Sequence, residues 1–216
     1  EFIPGSYLLE NLKTVLNSEY FVAFGNSIFV SVVSTLLSML VSAAAGYGMA
    51  AYQFKGKKIL YNFVLLTMMV PSTLGMIGYM QEMRMFHLGG SLWPLIFIWI
   101  PNGFGVFWMT QYLKNSLQAE LIECARLDGC GEIRIFFSIV MPCIKPAIIT
   151  LCLLIFLWSW NSYLLPLVIQ TLGDEHKADI AAQITGLLIA IIPLIAAFAV
   201  FSKDFIRGLT EGAVKG

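Results

Sequence analysis

Five stretches of this chain, Ala23 to Tyr52, Ile59 to Gln81, Ser91 to Leu113, Pro146 to Leu172 and Ile180 to Phe201, contain no Asp, Glu, Lys, Arg or His. A hydrocarbon core about 30 Å thick is crossed by about 20 apolar residues of helix at roughly 1.5 Å of rise each, so every stretch is long enough to span a bilayer. The rest of the chain agrees. Only 12% of the 216 residues are charged and 58% are hydrophobic, against about 25% charged in ordinary globular proteins, so no water-facing surface can be built from them. The expected fold is all-α, a polytopic membrane helical bundle with five spans in a lipid bilayer. Thirteen basic residues balance thirteen acidic ones, which leaves no net basic face for nucleic acid.

Lys and Arg stay on the cytoplasmic side of a membrane protein. Lys55, Lys57, Lys58, Lys114, Arg126, Arg134, Lys145, Lys203, Arg207 and Lys215 fall on one side of the predicted spans, and only Lys13, Arg84 and Lys177 on the other. Ten against three orients the chain. Residues 1–22 form an extracytoplasmic segment, 23–201 the transmembrane domain with a cytoplasmic loop at 114–145, and 202–216 a cytoplasmic tail. Nothing before Ala23 could act as a signal or a span, so a further transmembrane helix is expected ahead of it, with Glu1 to Tyr20 as a loop between spans.

Ion-coupled transporters place an ionisable group inside the bundle to carry the coupling ion; none is present in these spans. They hold small-residue clusters instead, Ala43-Ala44-Ala45-Gly46 with Gly48, Gly75 with Gly78, and Gly103 with Gly105, suited to close helix packing. Pro71, Pro94, Pro101, Pro166 and Pro193 each remove a backbone donor and can kink a span. Trp160, Asn161 and Tyr163 offer aromatic faces and an amide in the outer half of the fourth span. They are candidates to line a solute pathway, or equally an interfacial aromatic belt.

Other chemistry is missing from the sequence. Cys124, Cys130, Cys143 and Cys152 form no C-x-x-C pair and fall on the reducing side, as free thiols. His87 and His176 match no metal-ligand spacing. There is no G-x-x-x-x-G-K-[ST] loop to hold ATP, no H-E-x-x-H and no G-x-S-x-G. No catalytic residue, cofactor or metal is expected.

The segment between the third and fourth predicted spans is the most informative. Ser116 to Asp128 reads as a short helix capped by Ser116, with Leu117, Leu121, Cys124 and Ala125 at helical spacing. Gly129 and Gly131 break it. A second amphipathic helix carries Ile133, Phe136, Phe137 and Val140 and stops at Met141-Pro142. Helix, glycine turn and helix make a cytoplasmic knob, whose small Cys124 and Ala125 would let a partner's groove come close.

These residues resemble a known family, the permease subunits of binding-protein-dependent ATP-binding-cassette importers, in their maltose-type carbohydrate group. Its EAA loop is written E-A-A-x3-G-x9-I-x-L-P. Here Glu123-Cys124-Ala125, Gly129, Ile139 and Met141-Pro142 stand at matching spacing, with Cys124 for Ala and Met141 for Leu. Arg126-Leu127-Asp128-Gly129 is similar to the carbohydrate subgroup's version, and the ending from Gly208, Leu209, Thr210, Glu211 and Gly212 to Gly216 is similar to its tail. Asn26-Ser27 and Trp160-Asn161 fit as well.

The resemblance implies a six-span permease in a prokaryotic plasma (inner) membrane. Its partners would be a homologous second permease subunit, a dimer of ATP-binding subunits and an extracytoplasmic solute-binding protein. The EAA loop would be a coupling helix docked in an ATPase cleft, with Glu123 making a charged contact, Ala125 the close approach and Gly129 the turn; Gly208, Leu209, Thr210 and Gly212 would reach the ATPase interface. The segment Gly173 to Asp179 is shorter than the family's corresponding loop. The expected activity is ATP-driven import of an unmodified sugar, against the alternatives of an ion-coupled secondary carrier and a membrane-embedded enzyme.

Overall fold

The computed structural model describes residues 7–70, 76–88, 91–175 and 180–213. Among them the regular structure is helical and contains no strand. Helix α1 (Tyr7–Asn17) is followed by α2 (Tyr20–Ala51), α3 (Lys57–Met69), α4 (Met76–Met85), α5 (Trp93–Phe97) and α6 (Gly103–Ser116). The segment that follows α6 holds α7 (Ala119–Leu127), α8 (Glu132–Ile135), a π-helical turn (Phe136–Val140) and α9 (Met141–Cys143). Two long helices close the chain, α10 (Lys145–Glu175) and α11 (Ile180–Ala213).

Three of the five expected spans are continuous apolar helices, with membrane-crossing segments at Tyr20–Ala51, Lys145–Ser162 and Ile184–Phe205. The second and third are each divided. The second becomes α3 and α4, and the intervening residues 71–75, including Pro71 and Gly75, lie outside the described residues. The third breaks between Phe97 and Gly103, where Pro101 cannot donate to a helical ladder and Asn102 is extended with φ −95° and ψ 99°. Asn102 then caps α6, its Oδ1 accepting from the Gly105 amide at 3.0 Å. Asn102 is the start signal for α6 inside what hydropathy reads as one span.

The described part of the amino-terminal segment carries a helix, Tyr7–Asn17. Leu8, Leu12 and Val15 recur at helical spacing on α1, and Val15 is fully buried. The Tyr20 hydroxyl at the start of α2 donates to the Gly186 carbonyl of α11 at 2.7 Å, tying this end of the bundle together.

Helix α2 is the spine, packed along α10 and α6, while α10 also packs on α11. Small residues let these axes approach. Ser27, Ser31, Ser34, Ser38 and Ser42 make a buried stripe on α2, at the three- and four-residue intervals that share a helix face. A Cβ on Gly46 would stand 2.6 Å from the Met109 Cβ and 3.0 Å from the Met109 carbonyl carbon, and one on Gly105 would stand 2.9 Å from the Ser42 Cβ. Those two glycines permit the α2–α6 contact, as the small-residue clusters suggest. Gly48 and Gly78 have open space instead, so their packing role is not realised within this chain. Helix α3 buries none of its residues, and Ile59, Phe63 and Met69 are widely exposed, as expected of a helix facing lipid or another subunit.

Candidate functional site

The loop between α6 and α10 folds as a knob on the ends of α2 and α6. Ser116 is not its first cap: it is the last residue of α6, and its hydroxyl bonds back to the Tyr112 carbonyl at 2.6 Å. Two extended residues intervene, and α7 starts at Ala119 behind Gln118. It ends in a Schellman motif, with the Gly129 amide donating to the Arg126 carbonyl at 3.0 Å and the Cys130 amide to the Ala125 carbonyl at 2.9 Å. The motif needs a left-handed residue at its turn. Gly129 supplies it with φ +77°.

After the turn, the chain stays helical to Cys143 rather than stopping at Met141-Pro142. Pro142 brings no N–H to the turn before it, and that turn widens into the π-helical segment Phe136–Val140. Ile144 leaves the helical region and α10 begins at Lys145.

The knob has an inward and an outward face. Ile122, Ala125, Ile135, Val140 and Ile144 are buried in one core with Tyr47, Met109, Tyr112 and Leu113 of α2 and α6. Ala125 therefore serves the chain's own packing rather than a partner's approach: it is only 7% exposed, because the helical period that exposes Glu123 and Cys124 turns the next position inward. Outward stand Glu123, Cys124, Asp128 and Pro142, with the apolar Leu121, Leu127, Ile133 and Phe137. Ile139 is partly buried. Among the matched motif positions, Glu123, Cys124, Asp128, Gly129 and Pro142 thus share the exposed surface.

One residue outside the motif organises this knob. Glu132 accepts from Arg126 Nε at 2.7 Å, from the Tyr47 hydroxyl at 3.1 Å and from the Tyr52 hydroxyl. Arg126 also lies over the Tyr52 ring, 5.2 Å from its centre. The Schellman turn brings Arg126 and Glu132 together, and the tyrosines clamp both to the end of α2. An Arg and a Glu flanking a glycine turn were the signal available in the sequence, but only the turn geometry shows that they pair.

The Arg126 guanidinium foremost, and then the Tyr52 hydroxyl, hold the Glu132 carboxyl down to about 2 from its usual 4.5. A depressed carboxylate favours the folded knob fully above its unfolded value of about 4.5, and the contribution is lost as pH falls toward 2. Knob integrity is therefore expected to be flat between pH 8 and 5. Glu132→Gln should show the loss at neutral pH, as trypsin cleavage after Arg126 or Arg134 accelerated roughly threefold, the small factor reflecting solvent exposure of the pair. Equal cleavage of both proteins would remove Glu132 from this role.

The fourth-span candidates separate. Trp160 is 1% exposed and its Nε1 donates to the Ala190 carbonyl at 3.2 Å. Its ring is edge-on to Phe24 at 5.6 Å and stacked on Phe156 at 5.7 Å, a core anchor joining α2, α10 and α11 and not a pathway wall. Asn161 is exposed, and the side chain of Tyr163 lies outside the described residues. Gly208, Leu209, Thr210 and Gly212 continue α11, whose helix reaches Ala213, with their side chains also outside the described residues, as are residues 176–179 of the Gly173 to Asp179 segment. The free thiols Cys124 and Cys143 are exposed, and no group of three or more potential metal ligands occurs among the described residues.

Residues 39–203, which include the knob and the helices that hold it, match the profile of the family described as binding-protein-dependent transport system inner membrane component. The chain belongs to that family. It is an inner-membrane transport permease, and the family is not enzymatic. Among its relatives, the arabinooligosaccharides transport system permease protein AraQ of Halalkalibacterium halodurans is 33% identical over all of this chain and 82% of its own length. AraQ of Bacillus subtilis is 36% identical over 92% of this chain and 75% of its own. The probable starch degradation products transport system permease protein AmyC of Thermoanaerobacterium thermosulfurigenes is 30% identical over 99% of this permease and 83% of its own length. The fold is also that of a chain in a bacterial ABC transporter importing the acidic polysaccharide alginate, with a TM-score of 0.75 and 21% identity over 90% of this permease and 78% of that chain.

Proposed function

We propose that this permease is one of two homologous membrane subunits of an ATP-driven sugar importer fed by an extracytoplasmic binding protein, and that Glu123 to Pro142 is the surface through which a cytoplasmic ATPase dimer moves it. The observation that carries this is the knob itself: exposed apolar and acidic side chains on one face, and a buried attachment to α2 and α6 on the other. A surface fixed in this way transmits a push. Closure of an ATPase dimer around Leu127, Ile133, Phe137 and Glu123 would load the Gly129 turn and, through Ile122, Ala125 and the Glu132 clamp, tilt the bases of α2 and α6. The carbohydrate names of its relatives support a saccharide as cargo, and the absence of any ionisable residue from the five apolar stretches favours an external energy source. The lysine and arginine distribution supports a cytoplasmic position for the knob and the carboxyl terminus. The terminal residues Gly208, Leu209, Thr210 and Gly212 then extend α11 toward the same ATPase.

Cys124 is an exposed native thiol on the docking face. In the assembled transporter carrying Cys143→Ser, which removes the other exposed thiol beside this surface, a short thiol-to-amine crosslinker should join Cys124 to the ATPase subunit, and adding Cys124→Ser should remove the product. A crosslink that survives Cys124→Ser, or none in an active complex, contradicts the docking face.

A further inference from the structure

The turn between α2 and α3 gathers positive charge where an apolar helix ends. The crossing segment of α2 stops at Ala51. Gly56, left-handed at φ +87° with open space around it, then reverses the chain into α3. The reversal sets Lys57 and Lys58 beside Lys114 near the end of α6, and the three line a pocket of about 550 Å³ together with Phe54, Ile59 and Tyr61.

Two of the three ammonium groups are held in place by neighbours. Lys57 Nζ donates to the Tyr52 carbonyl at 2.7 Å and keeps two further N–H donors. The Lys114 ammonium stands over the Tyr61 ring, 5.0 Å from its centre, and the Tyr61 hydroxyl accepts in turn from Gln111 Nε2 at 2.9 Å. No Asp or Glu is among the described residues of the lining. Glu123 shares the adjacent cleft with Lys114, but the one ion pair among the described residues is Arg126 with Glu132. Like charges converging on one pocket repel one another, and an anion placed among them removes that cost. Lysines retained only to orient the chain need a side of the membrane, not fixed positions around one cavity.

We propose that this pocket binds the phosphate headgroup of an anionic phospholipid. The apolar surface that continues from it selects a lipid over a free anion. Ile59, 77% exposed, opens a row with the exposed Phe63 and Leu66, at the four- and three-residue intervals that share one helix face. Acyl chains lie along that face of α3 while the phosphate sits among the lysines, the arrangement expected of a basic pocket between membrane helices. The bound lipid ties the start of α3, which buries none of its own residues, to the end of α6, where the knob is attached.

The test uses the complete transporter, purified through this chain and reconstituted in phosphatidylcholine vesicles. These carry a small fraction of phosphatidylglycerol or phosphatidylcholine probe with the same photoreactive group at the top of one acyl chain. After irradiation and chymotrypsin digestion, the phosphatidylglycerol probe should label the segments holding Lys57 to Ile59 and Thr110 to Lys114 about tenfold more than the phosphatidylcholine probe does. The variant K57Q/K58Q/K114Q should make the two probes equal, and K57R/K58R/K114R should keep the preference. The variant K13Q/R84Q/K203Q, which removes the same formal charge elsewhere, should leave the preference unchanged. Phosphatidylcholine labelling that stays constant across the variants shows that they fold alike. Unlabelled phosphatidylglycerol should compete with its probe, and inorganic phosphate should not. Absent or equal labelling in the parent, or a preference that K57Q/K58Q/K114Q retains or K13Q/R84Q/K203Q loses as fully, overturns the site. Competition by inorganic phosphate overturns the lipid assignment. Cargo and energy source play no part in these outcomes.

Discussion

Gly129→Val is expected to abolish ATP-coupled transport while the protein still inserts into the membrane. At φ +77° a side chain meets the backbone rather than its surroundings, because nothing lies within 4 Å of a Cβ placed there. The strain is purely conformational, on the order of 1–3 kcal/mol for a β-branched residue in the left-handed region. The knob can relieve it only by giving up the Schellman bonds from Gly129 and Cys130, which swings α8 away from α7 and parts Arg126 from Glu132. We expect transport to fall by at least tenfold, with ATP hydrolysis either uncoupled or lost with the docked ATPase. Gly129→Asn should retain far more, since asparagine tolerates this conformation. Uptake assays on the reconstituted variants decide it: equal and full transport by the Val and Asn proteins would show that the turn does not matter.

The second large effect is at Trp160. Its indole fills the junction of α2, α10 and α11 with Phe24, Phe156 and Ala190 around it. Trp160→Ala leaves a cavity and an Ala190 carbonyl without its donor. Large-to-small core changes of this type cost about 3–5 kcal/mol in water-soluble proteins, and the packing and cavity part of that persists in lipid even though helix association there gains no hydrophobic term. The expected loss is about 2–4 kcal/mol, a large fraction of typical stability. Thermal unfolding in detergent should move sharply down for Trp160→Ala and little for Trp158→Ala. The reverse order would mean that Trp158, not Trp160, anchors the core.

Membrane location, helical class and the glycine turn after α7 were legible because each depends on a local pattern. Apolar length defines a span wherever the helix is unbroken, as in α2, and Gly129 sits where a helix ends because a left-handed turn admits glycine at no steric cost. What escaped depends on neighbours distant in sequence. Trp160 and Trp158 are both indoles near the same depth, and only packing against α2 and α11 separates an anchor from an exposed wall. Ala125 belongs to a motif that suggests an outward face, yet the core beneath α7 claims it. Hydropathy averaged over the third span could not register the stop at Pro101 or the start at Asn102, since both lie among apolar residues. The Glu132 clamp needed Tyr47 and Tyr52, some eighty positions upstream.

We propose that an external ATPase, acting through the Glu123–Pro142 knob, drives this permease. The most direct measurement is accumulation of a neutral oligosaccharide by vesicles containing the complete transporter, with ATP on the ATPase side, against the same vesicles given only a proton or sodium gradient. Accumulation that requires ATP hydrolysis and the ATPase subunit, and ignores the gradient, is the predicted result. Accumulation that follows the gradient without ATP, or that this chain achieves alone, would contradict it.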